Sequence, residues 1–250
     1  MVKPVHIGPV TLGEETQVAV PLVAETTEVV LKQAQTLKKL NPDLVEWRID
    51  GYQAVTDWEQ LDACGSQLQQ LLAPLSLLVT YRTVVEGGAG TLTGSAYQQL
   101  LQRLVQAPWV QAVDVEWNTI SLPALQELQQ SQCPLILSQH HFQGTPSLAE
   151  LRQTLQAMAA SGADVVKMAT MPHTARDVLT LLTATNEARQ RFSCPVITMA
   201  MGELGKVTRV TGNLFGSALT FAAGEQQSAP GQLDVALVRE LLATFPGTTK

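Results

Sequence analysis

Charge is scarce in this 250-residue chain: Asp, Glu, Lys and Arg together make up 15% of it, and the aromatics only 5%. With hydrophobic residues at 45%, that scarcity excludes a disordered chain and supports a substantial core. The formal net charge is −6 and no lysine or arginine run is present, so nothing marks a nucleic-acid partner. No apolar stretch reaches the roughly 18 residues of a membrane span. The opening Met1-Val2-Lys3-Pro4-Val5-His6 also lacks the apolar segment of a signal peptide. A cytoplasmic protein without a membrane partner is expected. Cys64, Cys133 and Cys194 are odd in number and widely spaced, which fits reduced thiols and no disulfide framework. There is no CxxC, and His140 and His141 are adjacent rather than four apart, so no metal site is expected. Neither GxGxxG after an apolar run nor GxxxxGK[ST] occurs, which removes the usual nucleotide-binding signatures.

What is present is alternation. Val5 to Ile7 and Val10 to Leu12, separated by Gly8-Pro9, predict a short N-terminal β-hairpin. Strands are then predicted at 18–23, 44–48, 75–81, 112–116 and 134–138, within 163–172, and at 195–199 and 214–220. Helical spacing fills the intervals, as in Tyr97, Leu100, Leu101, Leu104 and Val105. The fifth helix is predicted to start at Thr145 as cap with Pro146 in the first turn, and the sixth at a capping box, Thr174-Ala-Arg-Asp177. A short helix is expected at Val207 to Val210, and a last one burying Leu233, Leu237 and Leu241. Eight strand–helix units in about 230 residues without long linkers describe an α/β protein, a (β/α)8 TIM barrel forming one domain over 1–250.

Within the sixth apolar run stands Lys167. A lysine there either snorkels, with its stem on apolar surface and its head in water, or is desolvated so that its pKa falls and its amine can attack a carbonyl. Barrel chemistry collects at the C-terminal ends of the strands. The polar residues at those ends are Glu46 and Arg48, Arg82 and Glu86, Asp114 and Glu116, His140 and His141, Lys167, Arg209, and Ser228 with Gln232. Asp114 or Glu116 taken alone reads as an ordinary ion pair, but the whole set converging on one rim points to a site. A Schiff-base lysine needs a proton carrier near neutral pH, which suits His140, and a carboxylate to orient that imidazole, which suits Glu86. The Glu86-Gly-Gly-Ala-Gly90 segment also reads as a flexible loop. His141, one residue on, is expected to face away.

The ordered set Glu46-Trp-Arg-Ile-Asp50, Tyr81-Arg82-Thr83 with Glu86-Gly-Gly88, Ser138-Gln-His-His-Phe142, Lys167-Met-Ala169, Ile197-Thr-Met-Ala-Met-Gly202 and Ser228-Ala-Pro-Gly-Gln232 resembles type I 3-dehydroquinate dehydratases. The resemblance spans roughly residues 15–245. It implies a barrel, usually a homodimer, that needs no cofactor and dehydrates 3-dehydroquinate to 3-dehydroshikimate in the shikimate pathway. By position it makes Lys167 the Schiff-base lysine, His140 the general acid and base, and Glu86 its orienting partner. Glu46, Arg48 and Arg82 match residues that bind substrate hydroxyls, and Arg209, Ser228 and Gln232 those that hold the substrate carboxylate. Met199 and Phe221 match the apolar wall. Many relatives carry an acidic residue where this chain has His141. A class I Schiff-base aldolase is the alternative, since it also uses a barrel lysine. The loop before Ser228, bracketed by Ala222-Ala-Gly224 and Ala229-Pro-Gly231, is a candidate lid.

Overall fold

Helices begin where the sequence offers a cap. Thr26, Asp57, Ser121, Ser147, Thr174 and Asp234 each accept a hydrogen bond from the backbone N–H three residues on, satisfying one of the donors a helix start leaves open. A computed structural model describes residues 2–224, 230–245 and 247. The hairpin is β1 (Val5–Ile7) and β2 (Val10–Leu12). The repeating units follow as β3 (Gln17–Leu22), α1 (Thr27–Lys39), β4 (Leu44–Arg48), α2 (Trp58–Leu72), β5 (Ser76–Thr80) and α3 (Gly94–Leu104). Then come β6 (Ala112–Glu116), α4 (Leu122–Leu128), β7 (Leu135–His141), α5 (Leu148–Ala160), β8 (Val165–Thr170) and α6 (Ala175–Arg191). The chain ends with β9 (Val196–Ala200), α7 (Gly202–Val210), α8 (Gly212–Phe215), β10 (Leu219–Phe221) and α9 (Val235–Thr244). Strands β3 to β10 run parallel in the order β10-β3-β4-β5-β6-β7-β8-β9, and a bridge between Val196 and Ser217 joins the two ends. This is the predicted (β/α)8 barrel with its N-terminal hairpin.

Because side chains alternate across a strand, each barrel strand sorts its residues into two sets. One set, with Val45, Trp47, Val79, Val113, Val115, Leu137, Val166 and Met168, packs outward against helix residues such as Leu61, Leu68, Leu100 and Leu155. The inward set starts apolar at the N-terminal end, with Leu44, Leu78, Ala112, Ile136, Val165, Ile197 and Leu219. Ile7 and Leu12 of the hairpin pack into this inner cluster, and the Ser76 hydroxyl donates to the Ile7 carbonyl, so the hairpin closes the lower end. One pleat higher the same inward positions carry Glu46, Thr80, Asp114, Ser138 and Lys167. An apolar floor thus supports a polar layer.

Five predicted details change. The fifth helix starts at Ser147, not Thr145: Ser147 and Glu150 exchange bonds as a capping box, while the Thr145 hydroxyl turns to Thr170 and the Met171 carbonyl. The eighth run does not form a strand from 214, because Gly216 sits at φ +98°, a left-handed conformation that ends α8, and β10 begins only at Leu219. The last helix buries Val235, Val238 and Leu242, leaving Leu237 exposed and Leu233 and Leu241 half-buried. Strand β7 continues past the predicted Ser138 to His141, and α7 starts five residues before Val207.

Candidate active site

Lys167 does not snorkel. It occupies an inward position in the middle of β8, is 3% exposed, and lines a cavity of about 210 Å³ at the C-terminal end of the barrel. Its Nζ donates to Asp114 Oδ2 at 2.9 Å, lies 3.5 Å from Glu46 Oε1, and stands 4.6 Å from the centroid of the Phe221 ring. Thr80 donates to the same Glu46 oxygen at 2.9 Å and holds it in place. Two carboxylates and an aromatic face replace the water that the ammonium loses on burial.

His140 is next along the inward face of the neighbouring strand. Ser138 of β7 is in register with Lys167, and His140 stands two residues further on. The imidazole Nδ1 is 2.9 Å from Glu86 Oε2, and its ring stacks against Phe142 with centroids 6.2 Å apart. Burial, then the cations Arg82 and Lys167, holds the His140 pKa well below the usual imidazole value. Burial pushes the Glu86 carboxyl up to about 8, Arg82 pulling against it and Glu116 and Asp114 adding to it. Glu86 Oε1 is buried without a hydrogen-bond partner among the described residues. The imidazole is therefore neutral at neutral pH, able to accept a proton, and the pair with Glu86 is short of full negative charge. His141 does not line the cavity.

Arg82 ties these groups together. Its guanidinium reaches Asp114 at 2.6 Å, Ser138 at 3.0 Å, Glu116 at 3.2 Å and Glu86 at 3.3 Å. Burial lowers the Asp114 carboxyl's preference for charge, but Arg82 and Lys167 more than offset it and hold its pKa well below the carboxylate range. Asp114, counted from the sequence among the strand-end groups but given no role there, is thus the direct partner of Lys167. Glu116 anchors the start of the next loop through the Thr83 N–H at 2.7 Å and the Thr83 hydroxyl at 2.8 Å. That loop, 82–90, is not loose: it closes on itself through Val84 N–H to the Gly90 carbonyl and Gly88 N–H to the Thr83 carbonyl.

On the opposite side of the cavity Arg209 projects from α7 with 1% exposure. Its guanidinium donates to the Phe221 and Pro230 carbonyls at 3.3 and 3.0 Å, and Nε has no hydrogen-bond partner among the described residues. Among the described residues no carboxylate pairs with it, and burial lowers its pKa to about 10. A buried cation facing a cavity without a counter-ion fits an anionic group of a ligand. Glu46, Arg48, Met199, Phe221 and Gln232 also line the cavity, so the structure brings together all the sequence-predicted site residues except Ser228, which lies outside the described residues, as does most of the candidate lid. Phe142, Ala169 and Met201 line it too. Among the described residues no group of three His, Cys, Asp or Glu side chains is placed to hold a metal ion.

A parallel barrel that gathers a buried lysine, a histidine–glutamate pair and a buried arginine around one cavity at its strand ends has the layout of a barrel enzyme. The sequence pattern of type I 3-dehydroquinase matches residues 18–248. A 3-dehydroquinate dehydratase of Enterococcus faecalis is 42% identical over 248 residues, 97% of this chain and 98% of that one. The crystal structure of 3-dehydroquinate dehydratase from Geobacillus kaustophilus superposes with a TM-score of 0.92 at 35% identity, covering 97% and 96% of the two chains. A type I enzyme from Clostridium difficile, solved with covalent modified comenic acid, gives 0.92 at 32% identity and covers 98% of each. The chain belongs to the type I 3-dehydroquinase family of lyases.

Proposed function

We propose that the chain dehydrates 3-dehydroquinate to 3-dehydroshikimate through an imine on Lys167, within aromatic amino acid biosynthesis. The observation that carries this reading is the buried Lys167 amine in one cavity with the neutral His140 and with Arg209, which no carboxylate among the described residues pairs with. The substrate carboxylate pairs with Arg209, Gln232 and Ser228, and its hydroxyls meet Glu46, Arg48 and Arg82. Lys167 passes a proton to His140 and its free amine attacks the C3 ketone; His140 returns that proton to the carbinolamine hydroxyl, which leaves as water and gives an iminium. The iminium draws electrons from the adjacent carbon, so His140 can remove the C2 proton and leave an enamine. The enamine expels the C1 hydroxyl as water, with the proton returned by His140, and hydrolysis restores ketone and amine. One water is lost overall. Glu86 orients His140 throughout, and Met199 and Phe221 exclude solvent from the iminium. The covalently modified ligand of the Clostridium difficile relative supports a covalent step in this family.

Borohydride added with 3-dehydroquinate should reduce the imine and raise the intact mass by one adduct, mapped to Lys167. Lys167→Ala should lose both adduct and enone formation; an unchanged mass under turnover would sink the mechanism. Carbon–carbon cleavage in place of an ultraviolet-absorbing enone would instead mark a class I Schiff-base aldolase. The same reading includes a cytoplasmic homodimer, which light scattering checks as twice the 27.0 kDa chain mass.

A further inference from the structure

Asp50 closes the first recognisable motif of the chain but does not line the cavity. Its side chain is 2% exposed, and its two oxygens receive four N–H donors. Oδ1 accepts Arg48 Nε at 2.8 Å and the Arg82 backbone N–H at 3.2 Å; Oδ2 accepts Arg48 Nη2 at 2.9 Å and the Ala89 backbone N–H at 3.0 Å. The first donor of each pair belongs to a forked guanidinium held bidentate, which fixes its plane as well as its position. The second donor of each pair comes from one end of the 82–90 loop. Glu86, in the middle of that loop, reaches His140. One carboxylate therefore grips Arg48, which lines one side of the cavity, and both ends of the loop that supplies the partner of the imidazole.

We propose that Asp50 is a positioning residue that holds Arg48 and the Glu86 loop in one fixed relation, so that substrate binding and proton transfer share a register. The kinetic part of this inference rests on the dehydration proposed above. Asparagine cannot replace it, because its single acceptor oxygen leaves an NH2 group facing N–H donors.

The test is a double-mutant cycle in the full-length protein, Asp50→Asn with Arg48→Ala, read as KM and kcat together with amide hydrogen exchange. Asp50→Asn should raise KM and lower kcat, each by about tenfold, since displacements near 1 Å are enough for such losses. In the Arg48→Ala background it should no longer raise KM but should still lower kcat, through the freed Glu86 loop. The Arg82 and Ala89 amides should exchange faster in the variant, while those of β5 and β6 keep the parent's rates. Parent-like constants, a kcat effect that vanishes with Arg48, or faster exchange throughout the barrel would each overturn the proposal. Asp50→Glu, which keeps the charge and shifts the oxygens by a methylene, should show the same split if Asp50→Asn does not fold, and parent-like behaviour there also counts against it. A parent that makes no enone from 3-dehydroquinate refutes the function alone, and the exchange pattern still decides the role of Asp50.

Discussion

Glu86 is the residue whose titration separates stability from function. Its folded pKa of about 8 lies above the ordinary 4.5, so the folded state holds this proton more tightly than the unfolded chain does. That contribution is complete below about pH 4.5 and is lost as pH rises through 8. Glu86→Gln should thus melt increasingly above the parent between pH 5 and 9, while its turnover falls. A difference in Tm that stays flat over the range would mean a carboxyl ionised throughout. Arg209 gives a different signature. Removing its charge-assisted bonds in Arg209→Ala should raise KM about 10- to 100-fold with a smaller change in kcat, because each such bond contributes about 1.5–3 kcal/mol. Parent-like substrate affinity would exclude Arg209 from binding. At this scale the sequence spoke unevenly. Lys167 was conspicuous because a lysine interrupts apolar neighbours. Asp114 was not, because its partners Ser138 and Lys167 come from other strands and Arg82 from the loop after β5, and a lone carboxylate carries no sign of them. Its parity with Glu116 along β6 was the available clue.

At the scale of elements, strand positions were legible because an apolar run bounded by turn residues admits little else; 44–48 and 112–116 coincide with β4 and β6. Ends were harder. Thr145-Pro146 and Ser147 with Glu150 both carry the residue types of a helix start, and only the reciprocal bonds of the second pair decide between them. The last helix was misassigned by rotation, since leucines and valines alternate around it and apolar character alone does not choose a face. Helix α7 deserves a test of its own because it carries Arg209. A Cβ on Gly205, one turn earlier, would run into the Ala200 carbonyl at the end of β9. Gly205→Ala should therefore lift α7 from the barrel, costing about 1–3 kcal/mol of stability and weakening substrate binding. Denaturant unfolding and KM measured on the same preparation check this; an unchanged KM would show that Arg209 does not depend on that close contact.

For the whole molecule, the barrel is not equally secure all round. Strand β10 pairs with β3 through Leu219, Thr220 and Phe221, and the segment just before it meets β9 at the Val196–Ser217 bridge. Ser217 reinforces that seam by accepting from the Thr198 N–H at 3.0 Å. Native-state hydrogen exchange should find the Thr198 and Ala218 amides opening before those of β7 and β8, which pair over six residues. Equal protection around the ring would contradict this. Composition and alternation revealed the barrel as a whole, but not this seam, since the glycine-bounded turn that shortens β10 lies inside an apolar run.

The hairpin below the barrel has one more consequence. With Ile7 and Leu12 stoppering the far end, the cavity is a cup and not a tunnel. Reactant, expelled water and product share one doorway, so each catalytic cycle must empty the cup before refilling it. Product left inside bars the next arrival, and 3-dehydroshikimate should compete with 3-dehydroquinate for the same entrance.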